Sequence, residues 1–125
     1  AAAFGFDRLI LSDDCADLYH PRTLRGAMGA LFRMRADVVT DFASAVPALR
    51  ASGRRVYAAE LRDGALSVDE AKPTAADCFV IGNEGHGIPP EISALCTGSV
   101  YIPIAPTSES LNAATAASIL AYIQR

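Results

Sequence analysis

Two apolar runs, Cys78–Ile81 and Val100–Ile104, each give way abruptly to a polar loop, and this pairing narrows the folds open to the chain. Short runs of Val, Ile and Phe bounded by turn residues read as strands buried on both faces. The first run spills into Gly82-Asn-Glu-Gly-His-Gly87, and the second passes through Pro103 and Pro106 to Ser108-Glu-Ser-Leu-Asn112. The chain's only two asparagines, Asn83 and Asn112, fall one in each loop. Strand ends that open into polar loops are where α/β proteins hold ligands.

The remainder of the chain supplies the alternation that such a sheet needs. Strands are predicted over Arg8–Leu11, Val38–Val39 and Val56–Leu61. A helix is predicted from Pro21, with Leu24, Met28, Leu31 and Phe32 at helical spacing. Another covers Asp41–Ser52, where Pro47 kinks or divides it and Gly53 closes it. A short helix runs from Pro89 or Pro90 to Leu95, and an alanine-rich one from Ser110 to Gln124. Asp63-Gly64 marks a turn, and residues 64–77 show no regular pattern. Strands alternating with helices predict an α/β fold, a parallel sheet with helices on both faces. With 125 residues, 51% of them hydrophobic, one core and a single domain over 1–125 are expected.

Composition excludes several classes. There is no charge-free apolar run of about 18 residues, so no membrane span is expected. Ala1-Ala-Ala-Phe-Gly-Phe6 lacks the basic lead and long apolar stretch of a secretion signal. Cys15, Cys78 and Cys96 are scattered without a C-x-x-C pair, which fits a reducing cytoplasm and argues against disulfides or a metal site. The net charge of −3 argues mildly against nucleic acid. Its distribution does not: residues 1–62 hold nine arginines against seven acids, whereas 63–125 hold two basic residues against seven acids. Arginine forks onto phosphate, so Arg22, Arg25 and Arg33 are candidate RNA contacts.

Each motif has an ordinary reading beside a functional one. Gly82-x-x-Gly85-x-Gly87 could cradle a phosphate, but Glu84 stands where a dinucleotide loop has glycine, and Pro89-Pro90 follows where a helix should open. Glu84 could be a catalytic carboxylate or, more in keeping with a tight turn, an anchor accepting backbone N–H bonds. His20 and His86 read as loop residues, and Ser110 and Asn112 as helix caps. Leu111, Thr115, Ile119 and Tyr122 read as a core or dimer face.

Together the two segments are more specific than their parts. Strand, Gly82-Asn-Glu-Gly-x-Gly87, short helix, strand with Ile102-Pro-Ile104, loop, Ser110-Leu-Asn112 and alanine-rich helix resemble the SpoU (TrmH-like) RNA 2′-O-ribose methyltransferases of the SPOUT superfamily. Phe4-Gly-Phe-Asp-Arg-Leu-Ile-Leu11, Cys15-Ala-Asp-Leu-Tyr-His-Pro21 and Arg25-Gly-Ala-Met-Gly-Ala-Leu-Phe-Arg33 extend the likeness upstream.

The resemblance implies a C-terminal trefoil knot, an exception to the no-knot rule, with S-adenosyl-L-methionine bound in it and no metal. It places Ala59, Glu60, Gly82, Glu84, Gly87, Ile102, Ile104, Leu111 and Asn112 at the cofactor, and Asn83, Glu84, Ser110 and Asn112 near the methyl transfer. It implies a homodimer acting on RNA, ribosomal RNA before transfer RNA. A non-catalytic dimerisation or RNA-binding module of the same fold is the alternative.

The family's catalytic domain opens with a strand, an Asn-x-Gly turn and a helix bearing a catalytic arginine, and no residues of this chain match them. The expectation is a domain lacking its first strand and most of its first helix, which binds the methyl donor and barely transfers the methyl group. Removal of a proton by a positioned base is worth about 10²–10⁴ in rate. In a methyl-transfer assay on ribosomal RNA, a version extended upstream should therefore outpace this chain by at least about 10². Equal turnover would mean that these residues contain their own base.

Overall fold

Every pairing between strands is parallel, as the alternation predicts. The computed structural model describes residues 1–125 and divides into two units, Ala1–Phe42 and Ala43–Arg125.

In the first unit, β1 (Arg8–Ser12) pairs with β2 (Arg35–Val39) in the register Arg8↔Arg35 through Ser12↔Val39. Asp37 accepts from Nε of Arg8 at 2.7 Å and Nε of Arg35 at 3.0 Å. The bond from Arg35 first, and that from Arg8 next, hold its carboxyl below the ordinary range. Helix α1 (Pro21–Ala27) is shorter than its apolar spacing predicts. His20 caps its start, with Nδ1 accepting from the Arg22 N–H. Met28 and Gly29 both take left-handed backbone and end it, and Ala30–Arg33 forms a separate 3₁₀ turn. Met28 and Phe32, two of the residues at helical spacing, are 85% and 78% exposed.

The second unit carries a four-stranded sheet in the order β4 (Leu66–Ser67), β6 (Gly98–Tyr101), β3 (Val56–Ala59), β5 (Cys78–Val80). Tyr57 and Val100 project to one face and pack with Val68, Ala71 and Leu120. Those come from α3 (Val68–Ala71) and α5 (Ala113–Gln124). Val56 and Ala58, fully buried, face the other way by strand alternation. Val46 of α2 (Phe42–Ala51) and Ile92 of α4 (Pro90–Leu95) are buried as well. Arg50 of α2 donates to the Leu95 carbonyl of α4, 2.9 Å away.

Several boundaries differ from the sequence reading. Pro47 sits inside α2 without dividing it. Strand β3 stops at Ala59, two residues early, although the Glu60 N–H still reaches the Val100 carbonyl at 2.9 Å. The last strand occupies Gly98–Tyr101 rather than 100–104, and Pro103, with no N–H, cannot extend the ladder. Residues 64–77, read as irregular, hold β4 and α3. Ser67 and Glu70 form a capping box there, a Ser-x-x-Glu signal visible in the sequence. Helix α5 begins at Ala113, not Ser110. Its buried side is Leu120, Ala121 and Gln124, so Tyr122 of the predicted stripe lies outward, 52% exposed.

One residue, Asp77, ties the amino ends of β3 and β5 to α5. Asp77, 5% exposed, receives both prongs of Arg55 (2.9 and 2.6 Å) and the Thr74 N–H (2.7 Å). Its carbonyl accepts from Nε2 of the buried Gln124. Burial pushes the Asp77 carboxyl up, but the Arg55 and Thr74 bonds outweigh it and hold its pKa below the ordinary value. The stabilisation is thus full above about pH 4, the unfolded value, and is lost as pH falls through the lower folded one. Asp77→Asn should cost about 1–3 kcal/mol at pH 7, moderated by the partial exposure of Arg55. Denaturant titrations at pH 7 and pH 3 test this: the deficit should shrink at pH 3, and a pH-independent deficit would contradict the charge assignment.

Candidate functional site

The sheet register brings the predicted residues of three strands to one edge. Val80, Ala58 and Ser99 lie side by side, so Gly82, Glu60 and Tyr101 follow in line two residues further along. Ala59, Glu60, Gly82 and Ile102 therefore meet at the carboxyl edge of β5, β3 and β6, the ligand edge of open parallel sheets. Leu61, Ile81 and Ile104, just past the same strand ends, are 78%, 38% and 38% exposed. Exposed apolar side chains beside strand-end backbone groups suit the flat ring portion of a ligand.

The loop after β5 is closed on itself. Asn83 and Gly87 exchange both backbone hydrogen bonds, at 3.1 and 2.8 Å. The Asn83 side chain braces the turn, its Oδ1 accepting from the Gly85 N–H at 2.7 Å and the His86 N–H at 3.3 Å. Asn83, not Glu84, is thus the anchor of this loop, because its amide oxygen reaches two successive N–H groups. Glu84 and His86 are carried outward, exposed. Gly82 is glycine for a reason internal to the loop: a Cβ there would lie 2.5 Å from the Gly87 carbonyl carbon and 2.7 Å from the Ile88 nitrogen. Gly87 itself needs left-handed backbone, φ +68°.

Glu60 is fixed by its neighbours. Its Oε1 accepts from the Ser99 hydroxyl at 2.8 Å and from Arg62 Nη1 at 3.4 Å, tying the end of β3 to β6 and to the next loop. Ser99, a single serine in an apolar strand, carries no motif in the sequence. On the far side of the edge, Asn112 caps α5, its Oδ1 accepting from the Ala114 and Thr115 N–H groups at 3.0 and 3.3 Å. Ser110 stands outside the helix and exposed, and Leu111 is half-buried. In the first unit Arg22, Arg25 and Arg33 are all exposed, and none is engaged in an ion pair.

The model of the SpoU rRNA methylase family matches residues 1–122. The chain belongs to this family. A SpoU relative from Bacillus subtilis, 23S rRNA (guanosine(2553)-2′-O)-methyltransferase RlmP, is 35% identical over 122 residues, 98% of this chain and 48% of its own length. A TrmH-family RNA methyltransferase from Porphyromonas gingivalis superposes with a TM-score of 0.88 at 34% identity, over 99% of this chain and 50% of the other. The SpoU methyltransferase AviRb from Streptomyces viridochromogenes, solved with AdoMet, gives 0.81 at 31% identity, over 98% and 50%. The chain spans about half the length of these SpoU relatives.

Loop closure gives a direct stability test. Gly82→Ala forces backbone against backbone and should destabilise by about 1–3 kcal/mol. Gly85→Ala, whose Cβ meets only the Asn83 side-chain oxygen at 3.2 Å, should cost less. Thermal melts showing equal losses would contradict this account of Gly82.

Proposed function

We propose that this chain is the cofactor-binding part of an enzyme that methylates a ribose 2′-hydroxyl in RNA with S-adenosyl-L-methionine. The observation carrying the reading is the row Glu60, Gly82 and Tyr101 at the ends of three adjacent strands, with Leu61, Ile81 and Ile104 open beside it. Those apolar groups suit the faces of a purine, and the strand-end backbone suits its polar edge. The cofactor, when bound, supplies an electrophilic methyl on sulfur. Ala59, Glu60, Gly82, Gly87, Ile102, Ile104, Leu111 and Asn112 surround it in this reading, Glu60 through its backbone because its carboxylate holds Ser99 and Arg62. Asn83 and Asn112 keep the two loops in shape, while Glu84 and Ser110 are left free to face the substrate. The chemistry asked of the protein is alignment of the hydroxyl with the methyl and uptake of the hydroxyl proton.

Support for an RNA substrate comes from the relatives' activities and from the unpaired Arg22, Arg25 and Arg33; ribosomal RNA, the substrate named for RlmP, is favoured over transfer RNA. Residues 1–125 are taken as part of one cytoplasmic catalytic domain carrying the knot. Support for the knot is β6 inserted between β3 and β4, with the following helix returning to the amino end of β5 through Gln124.

Calorimetry with S-adenosylhomocysteine should give one site per chain. Gly82→Val should weaken binding at least about tenfold, 1.4 kcal/mol, by opening the loop, and His86→Ala should leave it unchanged. Equal affinities for the two variants would remove the site from this edge. The exposed Tyr122 and Ile123 of α5, beside the half-buried Ile119, support a homodimer. Sedimentation at tens of micromolar, a concentration at which a weak dimer is populated, should show it; monomer alone would count against this face.

A further inference from the structure

The loop between β1 and α1 is part of the first unit, and the proposed chemistry does not use its side chains. It is braced internally. The Cys15 N–H donates to the Ser12 carbonyl at 3.1 Å, the Tyr19 N–H to Asp17 Oδ1 at 2.9 Å, and the His20 N–H to the Asp17 carbonyl at 3.1 Å. These bonds preform a cleft of about 280 Å³. Leu11, Val38, Asp13, Asp17 and Tyr19 line it, and Tyr19 is 67% exposed. Exposed Cys15 also lies on its wall. No hydrogen bond or ion pair engages the Asp13 carboxylate.

An aromatic ring over apolar surface suits a flat ring system. Ionised carboxylates only accept hydrogen bonds, so they select a ring edge that donates and repel phosphate. Phosphate has its own partners directly downstream, the exposed Arg22 and Arg25 of α1. The loop and helix thus offer acid to a base edge and arginine to the backbone beside it. Among RNA bases, guanine presents two adjacent donors, N1–H and the 2-amino group, which match the two oxygens of one carboxylate. Uracil presents one N–H between two carbonyls, which the carboxylates repel.

We infer that this cleft receives an unpaired guanine of the RNA, stacked on Tyr19 with its donor edge on Asp13. The inference rests on the RNA reading above and names the base that reading leaves open.

Cys15 provides the test. Alkylation of Cys15 by iodoacetamide, followed by mass spectrometry, should slow about fivefold with saturating pentaribonucleotide UUGUU and by less than about twofold with UUUUU, in line with stacking energies per base. Tyr19→Leu and Asp13→Asn should each abolish the protection while leaving S-adenosylhomocysteine affinity and the melting temperature unchanged. Equal protection by the two oligonucleotides would overturn the guanine assignment. UUGUU binding by anisotropy without protection of Cys15 would overturn the cleft. Failure of S-adenosylhomocysteine to bind would strike the cofactor reading instead, so the two ideas fail separately.

Discussion

The second unit depends on one carboxylate shielded from water. Asp77 would be costly to bury alone, and two neighbours offset that cost: Arg55 through its fork, and Thr74 through its N–H and its hydroxyl. Arg55 precedes β3 and Asp77 precedes β5, so the pair aligns the amino ends of two adjacent strands. The same residue's carbonyl takes the Gln124 amide, which seats the last turn of α5. Fixing one end of parallel strands sets where the other end falls. The row of Glu60, Gly82 and Tyr101 at the opposite edge is a consequence of that register.

The site edge is held by bonds of a different kind. No charge pair is buried there. A serine hydroxyl on β6 meets Glu60, an asparagine amide braces the loop after β5, and a second asparagine caps α5. The two asparagines do the same work, accepting from two successive N–H groups just beyond an apolar segment. Each makes a loop rigid without filling it, which leaves backbone and apolar side chains at the edge for a ligand.

Much of this was legible in the sequence, and the failures have physical causes. The parallel α/β class followed from the alternation, and the SpoU likeness from two loops whose residue types and spacing are unusual together. The loops' internal logic was not legible. Glu84 looked like the anchor by charge, yet Asn83 anchors because a shorter amide side chain reaches the N–H groups of Gly85 and His86. Helix α1 looked longer because Leu31 and Phe32 keep helical spacing, and the left-handed Met28 and Gly29 ended it. The capping box of Ser67 and Glu70 is written in the sequence as Ser-x-x-Glu, but the helix it starts is only four residues long and too short to show a period. The Arg55–Asp77 contact joins residues 22 apart in sequence and carries no motif at all.

The central claim is that the carboxyl edge of the four-stranded sheet is the cofactor site. Its most direct test is amide chemical-shift mapping of the ¹⁵N-labelled chain with S-adenosylhomocysteine. The account predicts perturbations confined to residues 59–62, 81–88, 101–104 and 110–115, with 8–39 unmoved. Perturbations centred on 8–39, or spread evenly over both units, would contradict it.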